Sequence, residues 1–225
     1  MSEEKRESVI EVTGTGSVHV VPDVTRLEVT ISGVFKSYEE AYARARENSS
    51  WMVKVLEYNH KSGKLAKTSR LNIADHEVNE YDDEGNYVGK QKDGFDLDQR
   101  IKVDLAIDNV LVNNIVRGIG KFIKGAQINI GYTVQDPRPH RLKALGKAVQ
   151  DATEKAKIMA EAAGSKLGQV RSIDYSDHDV HVYAEARNIH SNKEAMACSS
   201  DSLDITPDDL SINEDVNVSW YMEPA

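Results

Sequence analysis

The residues best suited to chemistry lie in one polar stretch near the end of the chain. Imidazole, carboxylate and thiolate groups are common metal ligands in proteins, and this stretch contains Asp177, His178, Asp179, His181, His190 and Cys198. Their spacing matches no standard zinc pattern, and Cys198 is the only cysteine of the chain, which excludes a cysteine cluster and an intrachain disulfide. We expect solvated loop histidines and no cofactor. A metal site formed by His178, His181, His190 and Cys198 is the alternative.

The segment that carries these residues, 176–208, has mixed polarity and no sustained hydrophobic period. A segment of this length without regular structure is usually either mobile or functional. We therefore expect a mobile excursion over 176–208. The alternative function for the chain is a small-ligand or metal-binding protein that uses this loop as a lid.

Charged side chains on the predicted strands are the second set with chemical potential: Arg26, Glu28, Asp96, Asp98, Arg100, Lys102 and Asp104. Carboxylate pairs can act in acid–base catalysis when burial shifts their pKa values, but on exposed faces cross-strand charge pairing is their usual role. Neither G-x-S-x-G nor H-E-x-x-H occurs in the chain, and the Gly14-x-Gly16 pair lacks the third glycine of a dinucleotide fingerprint. We expect no enzyme activity and assign no catalytic residue; an unrecognised enzyme would need a pocket with perturbed titratable groups.

Charge and composition bound the remaining classes. The 225 residues are 40% hydrophobic, enough for one large domain or two small interlocked ones. The net charge of −9 comes from the last quarter, since residues 174–225 hold 12 acidic and two basic residues; this argues against nucleic acid as a partner. No apolar run is long enough to span a membrane. The polar N-terminus lacks a signal core, so we expect a cytoplasmic protein, or an exported one if a signal was removed.

Hydrophobic periodicity predicts the elements that would position these side chains. Strands are expected over 9–21, 25–34, 67–81, 95–107, 128–134, 170–175 and 212–222, because apolar and polar residues alternate there. Gly14 and Gly16 suggest a bend or bulge in the first strand, and a phase slip between Ile73 and Val78 suggests another bulge. The strands that end at Val34 and begin at Ile212 are candidates for pairing between subunits.

Helices are expected at three places. Ser37 opens the first, whose buried stripe we predict as Ala41, Tyr42, Ala45, Ser49, Met52 and Leu56, with Trp51 at the core edge or, alternatively, as a ligand platform. Asp108 caps a short second helix. The third starts at Pro137 and Pro139 and ends before Gly164. Its predicted buried stripe is Leu142, Leu145, Val149, Ala152, Ala156, Met159 and Ala163.

The polar side of this third helix is basic, with Arg138, Arg141, Lys143, Lys147, Lys155 and Lys157. We expect a solvated face, or one that docks the acidic tail. The predicted fold class is α+β: antiparallel sheets covered on one face by helices, in two interlocked halves of about 9–107 and 108–225, forming a single domain over 9–225 after a disordered leader at 1–8.

Three motifs carry a family resemblance: Gly14-x-Gly16-x-Val18-x-Val20-x-Pro22-Asp23, Gly94-Phe95-x-Leu97-x-Gln99-x-Ile101-x-Val103, and the run Ala148-x-x-Asp151-Ala152-x-x-Lys155-Ala156-x-x-Met159-Ala160-x-x-Ala163-Gly164 with Leu167, Gly168 and Val170. Together they resemble the SIMPL-domain family, also catalogued as DUF541. Members include a eukaryotic protein associated with a pelle-like, interleukin-1-receptor-associated kinase, a bacterial periplasmic protein linked to oxidative-stress defence, and a periplasmic or outer-membrane immunogen.

The resemblance implies an α+β fold, self-assembly, a possible link to stress or envelope function, and no agreed catalytic or ligand residue. From it and from the many strand edges, we expect a non-enzymatic scaffold or interaction protein that forms a homo-oligomer and can bind a protein partner.

Overall fold

The computed structural model describes residues 8–175, the backbone of 184–190, and residues 208–224. Within these ranges the strands are β1 (Val9–Val20), β2 (Val24–Phe35), β3 (Ala66–Tyr81), β4 (Tyr87–Ala106), β5 (Gln127–Thr133), β6 (Ser165–Asp174), β7 (Ala184–His190) and β8 (Leu210–Pro224). The helices are α1 (Tyr38–Tyr58), α2 (Asn109–Phe122) and α3 (Arg138–Ala162), with a short 3₁₀ turn at Gly63–Leu65. The α+β prediction is confirmed.

The first and last strands of the chain belong to one sheet. β8 lies between β1 and β6 in a three-stranded antiparallel sheet, and its register with β1 runs unbroken from Val9↔Tyr221 to Val20↔Leu210. The helix α3 covers one face of this sheet, and the buried side chains between them are Val12, Ala148, Ala152, Ala156, Val216, Val218 and Trp220.

Gly14 and Gly16 let α3 approach β1 closely. The bend or bulge predicted at these glycines is wrong, because β1 pairs with β8 without a register shift. Both glycines are buried, and a Cβ atom on either would overlap α3 backbone: the carbonyl oxygen of Ala148 for Gly14 and that of Ala144 for Gly16. The missing side chains therefore set the distance between helix and sheet.

The buried face of α3 is a row of alanines at intervals of four: Ala144, Ala148, Ala152, Ala156 and Ala160. The predicted stripe is correct at Ala152 and Ala156 and wrong at its ends, since Leu142 is 60% and Met159 51% exposed. The larger apolar residues do not fit between two backbones in contact, and the methyl groups of alanine do. Pro137 precedes the helix, and Gly164 follows it with φ of 70°, as predicted.

The remaining strands form a five-stranded antiparallel sheet in the order β3-β4-β2-β5-β7. The helices α1 and α2 pack on one face of this sheet. The helices and the sheet both contribute side chains to the core between them: Leu27, Val29, Ile31, Met52, Val55, Leu56, Ile101, Val103, Leu105, Val112, Ile115, Ile119, Ile123, Ile128 and Ile130. The strand β7 corrects the prediction of an irregular 176–208 segment, because residues 184–190 pair with β5.

The helix starts follow the predicted caps. Ser37 Oγ accepts a hydrogen bond from the Glu40 N–H, and Asp108 accepts one from the Leu111 N–H. The predicted stripe of α1 fails at Tyr42, which is half exposed, whereas Asn48 is buried. Asn48 Nδ2 donates to Gln99 Oε1 at 3.2 Å, and Gln99 Nε2 donates to the Ala45 carbonyl at 3.0 Å, so this buried polar pair is satisfied.

The chain divides into two compact units that interleave in sequence. One contains residues 1–22, 134–183 and 208–225, and the other contains residues 23–133 and 184–207. The predicted halves at 9–107 and 108–225 therefore do not match the units, because β1 pairs with β8 and not with β2. The predicted leader lies outside the described residues except for Ser8, whose carbonyl accepts a hydrogen bond from the Met222 N–H.

Candidate interaction surface

Strand edges are the first place to look for association, because they expose unpaired backbone groups. Among the described strands, the edges are β1 and β6 in one sheet and β3 and β7 in the other. The strands predicted to pair between subunits are β2 and β8. Each lies between two neighbours of its own sheet, although β5 pairs with β2 only from Val24 to Thr30 and β6 pairs with β8 only from Asn217 to Pro224. Their strong alternation reflects this central position. Pairing between subunits through these strands stays a prediction.

The strands β3 and β4 extend beyond the five-stranded sheet. β2 pairs with β4 only between Phe95 and Ala106, yet β3 and β4 continue to pair from His76↔Gly94 to Tyr81↔Tyr87. Residues 76–94 therefore form a two-stranded ribbon with its connecting turn, which we call the hairpin arm. A ribbon of this kind is marginally stable by itself in water.

The turn of the hairpin arm is well satisfied. Asp82 Oδ1 accepts hydrogen bonds from the backbone N–H groups of Asn86 at 2.8 Å and Glu84 at 3.0 Å. The backbone and side-chain donors of Asn86 lower the pKa of the Asp82 carboxyl. Gly85 has φ of 84°, a conformation that favours glycine. The turn thus holds Tyr81 opposite Tyr87, just after a register shift between Glu80 and Tyr81.

The surface of the hairpin arm combines aromatic and acidic side chains. Tyr81 and Tyr87 are each 58% exposed and contact edge to face, with ring centroids 6.1 Å apart; Val78 and Val88 are exposed beside them. The arm holds six acidic residues and two basic ones. Exposed tyrosines and apolar side chains grouped on one element are typical of protein interfaces.

The base of the hairpin arm is anchored to α1. The Phe95 ring meets Tyr38 edge to face with centroids 6.1 Å apart, and Tyr38 stacks on Tyr42. The predicted bulge between Ile73 and Val78 is present at His76/Glu77. Gly94, opposite His76, has φ of 147°, and a Cβ there would lie 2.5 Å from the Phe35 carbonyl oxygen.

An open cavity of about 450 Å³ lies against the same helix, lined by Ile31, Ser32, Phe35, Glu40, Ala43, Arg44, Glu47, Leu97 and Lys124. A hydrogen bond from Arg44 and a second from Trp51 lower the pKa of Glu47. A lowered pKa keeps this carboxylate ionised near neutral pH, which suits an ion pair with Arg44 better than proton transfer.

Most of the candidate metal ligands lie outside the described residues. His178, His181 and Cys198 lie outside the described residues, and for His190 only the backbone is described, paired with Gln127 across β7 and β5. In the part of the chain that the structure describes, no group of three or more histidine, cysteine or acidic side chains could hold a metal. The metal site stays a prediction.

The charged residues on the strands pair across the sheet, as predicted. Arg26 makes two hydrogen bonds to Asp104, of 2.7 and 2.9 Å, on neighbouring strands. Partial burial raises the pKa of Asp104, but the hydrogen bonds and charge of Arg26 outweigh it, so the pKa lies below its usual value. Arg70 contacts Asp98 at 2.9 Å.

Trp51 stacks on Phe122, with centroids 4.8 Å apart and planes 8° from parallel, at the edge of the core. This is the core-edge position that the sequence predicts.

The solvated face predicted on α3 is wrong at Arg141, which contacts the acidic last quarter of the chain, as the alternative proposed. Arg141 Nε lies 2.5 Å from Oε1 of Glu214, a buried carboxylate that also accepts a hydrogen bond from the Tyr175 hydroxyl at 3.1 Å. Lys147 and Lys155 are exposed as predicted, and each also donates to a backbone carbonyl of β1. Arg138, Lys143 and Lys157 are exposed.

The sequence predicted strands over 67–81 and 95–107, and so missed that residues 87–94 extend β4 into the hairpin arm. Strand length in the structure reveals the arm, since β3 and β4 have 16 and 20 residues whereas β2, the neighbour of β4, has 12. Strands in globular proteins usually have three to ten residues or so. Two long strands that outrun their sheet neighbour must end as a free ribbon.

The fold and this surface define an α+β protein of two helix-covered antiparallel sheets with an exposed β-ribbon. The family model described as SIMPL, protein of unknown function (DUF541), matches residues 10–220. The chain therefore belongs to the SIMPL family, as the three sequence motifs indicated. A comparison with curated proteins finds no match to it. No helix within the described ranges is long and apolar enough to cross a membrane.

Proposed function

We propose that this SIMPL chain is a non-enzymatic, self-associating interaction protein and that the hairpin arm is the surface by which it binds a second copy. The observation that supports this most directly is the exposure of Tyr81 and Tyr87 on a ribbon that extends past the last residue of β4 paired with β2. Burial of these rings against a partner would stabilise both the contact and the ribbon.

A second copy suits the backbone geometry of the arm. Among the described strands, none pairs with residues 87–94 of β4 on the side where β2 ends at Phe35, so these residues offer an antiparallel edge there. Two identical edges can pair about a two-fold axis, because an antiparallel arrangement makes the same patch self-complementary. The acidic side chains at the turn, Asp82, Asp83 and Glu84, lie at the end of such a contact and would repel only weakly there.

The double variant Tyr81→Ser/Tyr87→Ser tests the proposal. We expect the wild-type chain to sediment above the monomer mass at tens of micromolar, and the variant to sediment as a monomer with an unchanged circular dichroism spectrum. The matched control is Tyr58→Ser, a tyrosine 87% exposed at the end of α1, which should associate like the wild type.

Salt distinguishes the second copy from a basic protein partner. Association of two acidic arms should persist or strengthen when salt is added, whereas binding to a basic partner would weaken. A wild-type chain that stays monomeric, or a tyrosine variant that associates as the wild type does, would overturn the proposal. Ligand or metal binding by 176–208 and a link to stress or envelope function stay predictions, since no described residue favours them.

A further inference from the structure

The open edge of β1 has a polar, uncharged centre. Its residues 13–17 are Thr, Gly, Thr, Gly and Ser, between Glu11 and His19, and the strand is regular over 12 residues. Edge strands usually avoid pairing with other chains through a proline, a bulge or an inward charge. The sequence of β1 contains none of these between residues 12 and 18, yet three of its outer backbone groups have side-chain partners.

Side chains of α3 occupy those groups. Lys147 Nζ donates to the Ser17 carbonyl at 2.8 Å, the Thr15 N–H donates to Asp151 Oδ2 at 2.8 Å, and Lys155 Nζ donates to the Thr13 carbonyl at 3.4 Å. An ion pair of 2.7 Å joins Lys155 to Asp151. In an antiparallel pair, every second residue of a strand directs its N–H and its carbonyl away from the partner strand. Thr13, Thr15 and Ser17 are such residues of β1, so the three bonds lie along the edge that faces away from β8.

The repeats of helix and strand make this row possible. Four residues of helix rise about 6 Å, and two residues of strand advance about 6.7 Å. Helix positions 147, 151 and 155 therefore stay in step with strand positions 17, 15 and 13. The close approach of α3 to Gly14 and Gly16 brings side chains of ordinary length around the edge of the sheet.

We infer that Lys147, Asp151 and Lys155 form an edge cap, a row of side chains that takes the place of a fourth strand and closes β1 to a second copy of this chain. Without the cap, the threonine-rich edge would pair with β1 of another molecule, antiparallel about Thr15. This inference concerns a different surface from the hairpin arm and does not depend on it.

The triple variant Lys147→Ala/Asp151→Ala/Lys155→Ala opens the edge. In dilute solution we expect the Thr15 amide to exchange with solvent at least about tenfold faster, since it loses its only cap acceptor. At high concentration we expect sedimentation to show a new associated species. The matched control, Lys143→Ala/Glu154→Ala/Lys157→Ala, removes the same charges from exposed positions of α3 and should behave as the wild type.

A proline at position 15 provides the rescue. Thr15→Pro added to the triple variant removes the N–H that an incoming strand would bond, so the new species should disappear. The measurements are repeated with Tyr81→Ser/Tyr87→Ser present, so that association through the arm cannot be mistaken for association through β1. The single variant Asp151→Ala, which keeps both lysines, serves if the triple variant does not fold, and it too should speed exchange at Thr15. A folded variant with wild-type exchange and mass, or association that Thr15→Pro leaves intact, would overturn the edge cap.

Discussion

At the scale of single residues, two glycines decide how the sheet of β1, β8 and β6 meets its helix. Gly14 and Gly16 lie under the alanine row of α3, where the backbones are in contact. A glycine within a strand normally weakens it. Here the loss is offset by a helix–sheet distance that no larger residue permits, and the same distance lets the edge cap reach β1.

Gly14→Ala should therefore destabilise the protein by about 3 kcal/mol, in the upper range for an overpacked core, because its methyl group would lie 2.6 Å from the Ala152 Cβ in addition to overlapping the Ala148 carbonyl. Gly146→Ala is the matched control on α3, where a Cβ meets nothing within 4 Å. It should stabilise the helix by about 0.5–1 kcal/mol. Chemical denaturation measures both. Equal stabilities of the Gly14 variant and the wild type would contradict the packing argument.

The edge cap predicts how the carboxyl group of Asp151 titrates. The hydrogen bond from Lys155 and then that from the Thr15 N–H lower the pKa of Asp151 below its ordinary 3.8. A carboxyl whose pKa is lower in the folded state contributes stability above its unfolded pKa and loses that contribution as pH falls through the folded value. The stabilisation by Asp151 should thus be complete at neutral pH and decline only below about pH 3.8.

Carbon-13 NMR of the Asp151 carboxyl tests this directly. The pKa should lie below 3.8 in the wild type and rise toward that value in Lys155→Ala, which removes the largest cause of the shift. A Lys157→Ala variant removes a lysine from an exposed position of the same helix that is not part of the cap, and it should leave the titration of Asp151 unchanged. A wild-type Asp151 that titrates at or above the ordinary value would contradict the geometry of the cap.

At the scale of elements, alternation in the sequence located the strands because each sheet has a helix-covered face. The alternating apolar residues of β2 and β4 in the sequence are the buried ones in the structure. The same pattern cannot show which strands are central, so it did not predict that β2 and β8 each lie between two strands of their own sheet. Strand order depends on which distant residues pair with each other, and a local pattern of apolar and polar residues gives no information about that pairing.

The helix α3 shows a different limit. The predicted helical spacing of three and four residues was correct. More than one set of residues fits that spacing, and the prediction placed the set with the larger apolar side chains in the core. The structure selects the alanines because the facing strand has glycines. This choice could have been predicted only by matching the two motifs to each other, which requires knowing that β1 and α3 are in contact.

The interaction surface could not be predicted for the same reason. The predicted strands end at Tyr81 and resume at Phe95, so Tyr87 lies outside them, and the free ribbon that carries both rings exists because β2 ends at Phe35, opposite Phe95.

At the scale of the whole molecule, the unit of residues 1–22, 134–183 and 208–225 is assembled from three separate stretches of chain. Its central strand is the last one, and Thr13 of β1 bonds to Asn217 of β8 across a separation of 204 residues. Pairing over such separations carries a large loop-closure cost and slows folding. The other unit draws most of its core from the continuous stretch 23–133.

Trp220→Ala tests the importance of that central strand. Trp220 is 3% exposed in the core beneath α3, and removal of its ring should cost about 3–5 kcal/mol. Native-state hydrogen exchange should show faster exchange first in β1, β6 and β8. Asn213→Ala, at an exposed position of the same strand, should change stability by less than about 0.5 kcal/mol. Faster exchange confined to β2, β4 and β5 would contradict the separate cores.

The late position of β8 has a consequence for biosynthesis. On the ribosome β1 emerges long before β8, because all residues between Val20 and Leu210 are translated before its hydrogen-bonding neighbour. The helix α3 also emerges earlier than β8, and it supplies the lysines and the aspartate that bond to the outer edge of β1. A nascent chain stalled shortly before residue 208 would thus shield only one flank of β1, and its other flank would be the place where chaperones or neighbouring nascent chains could attach.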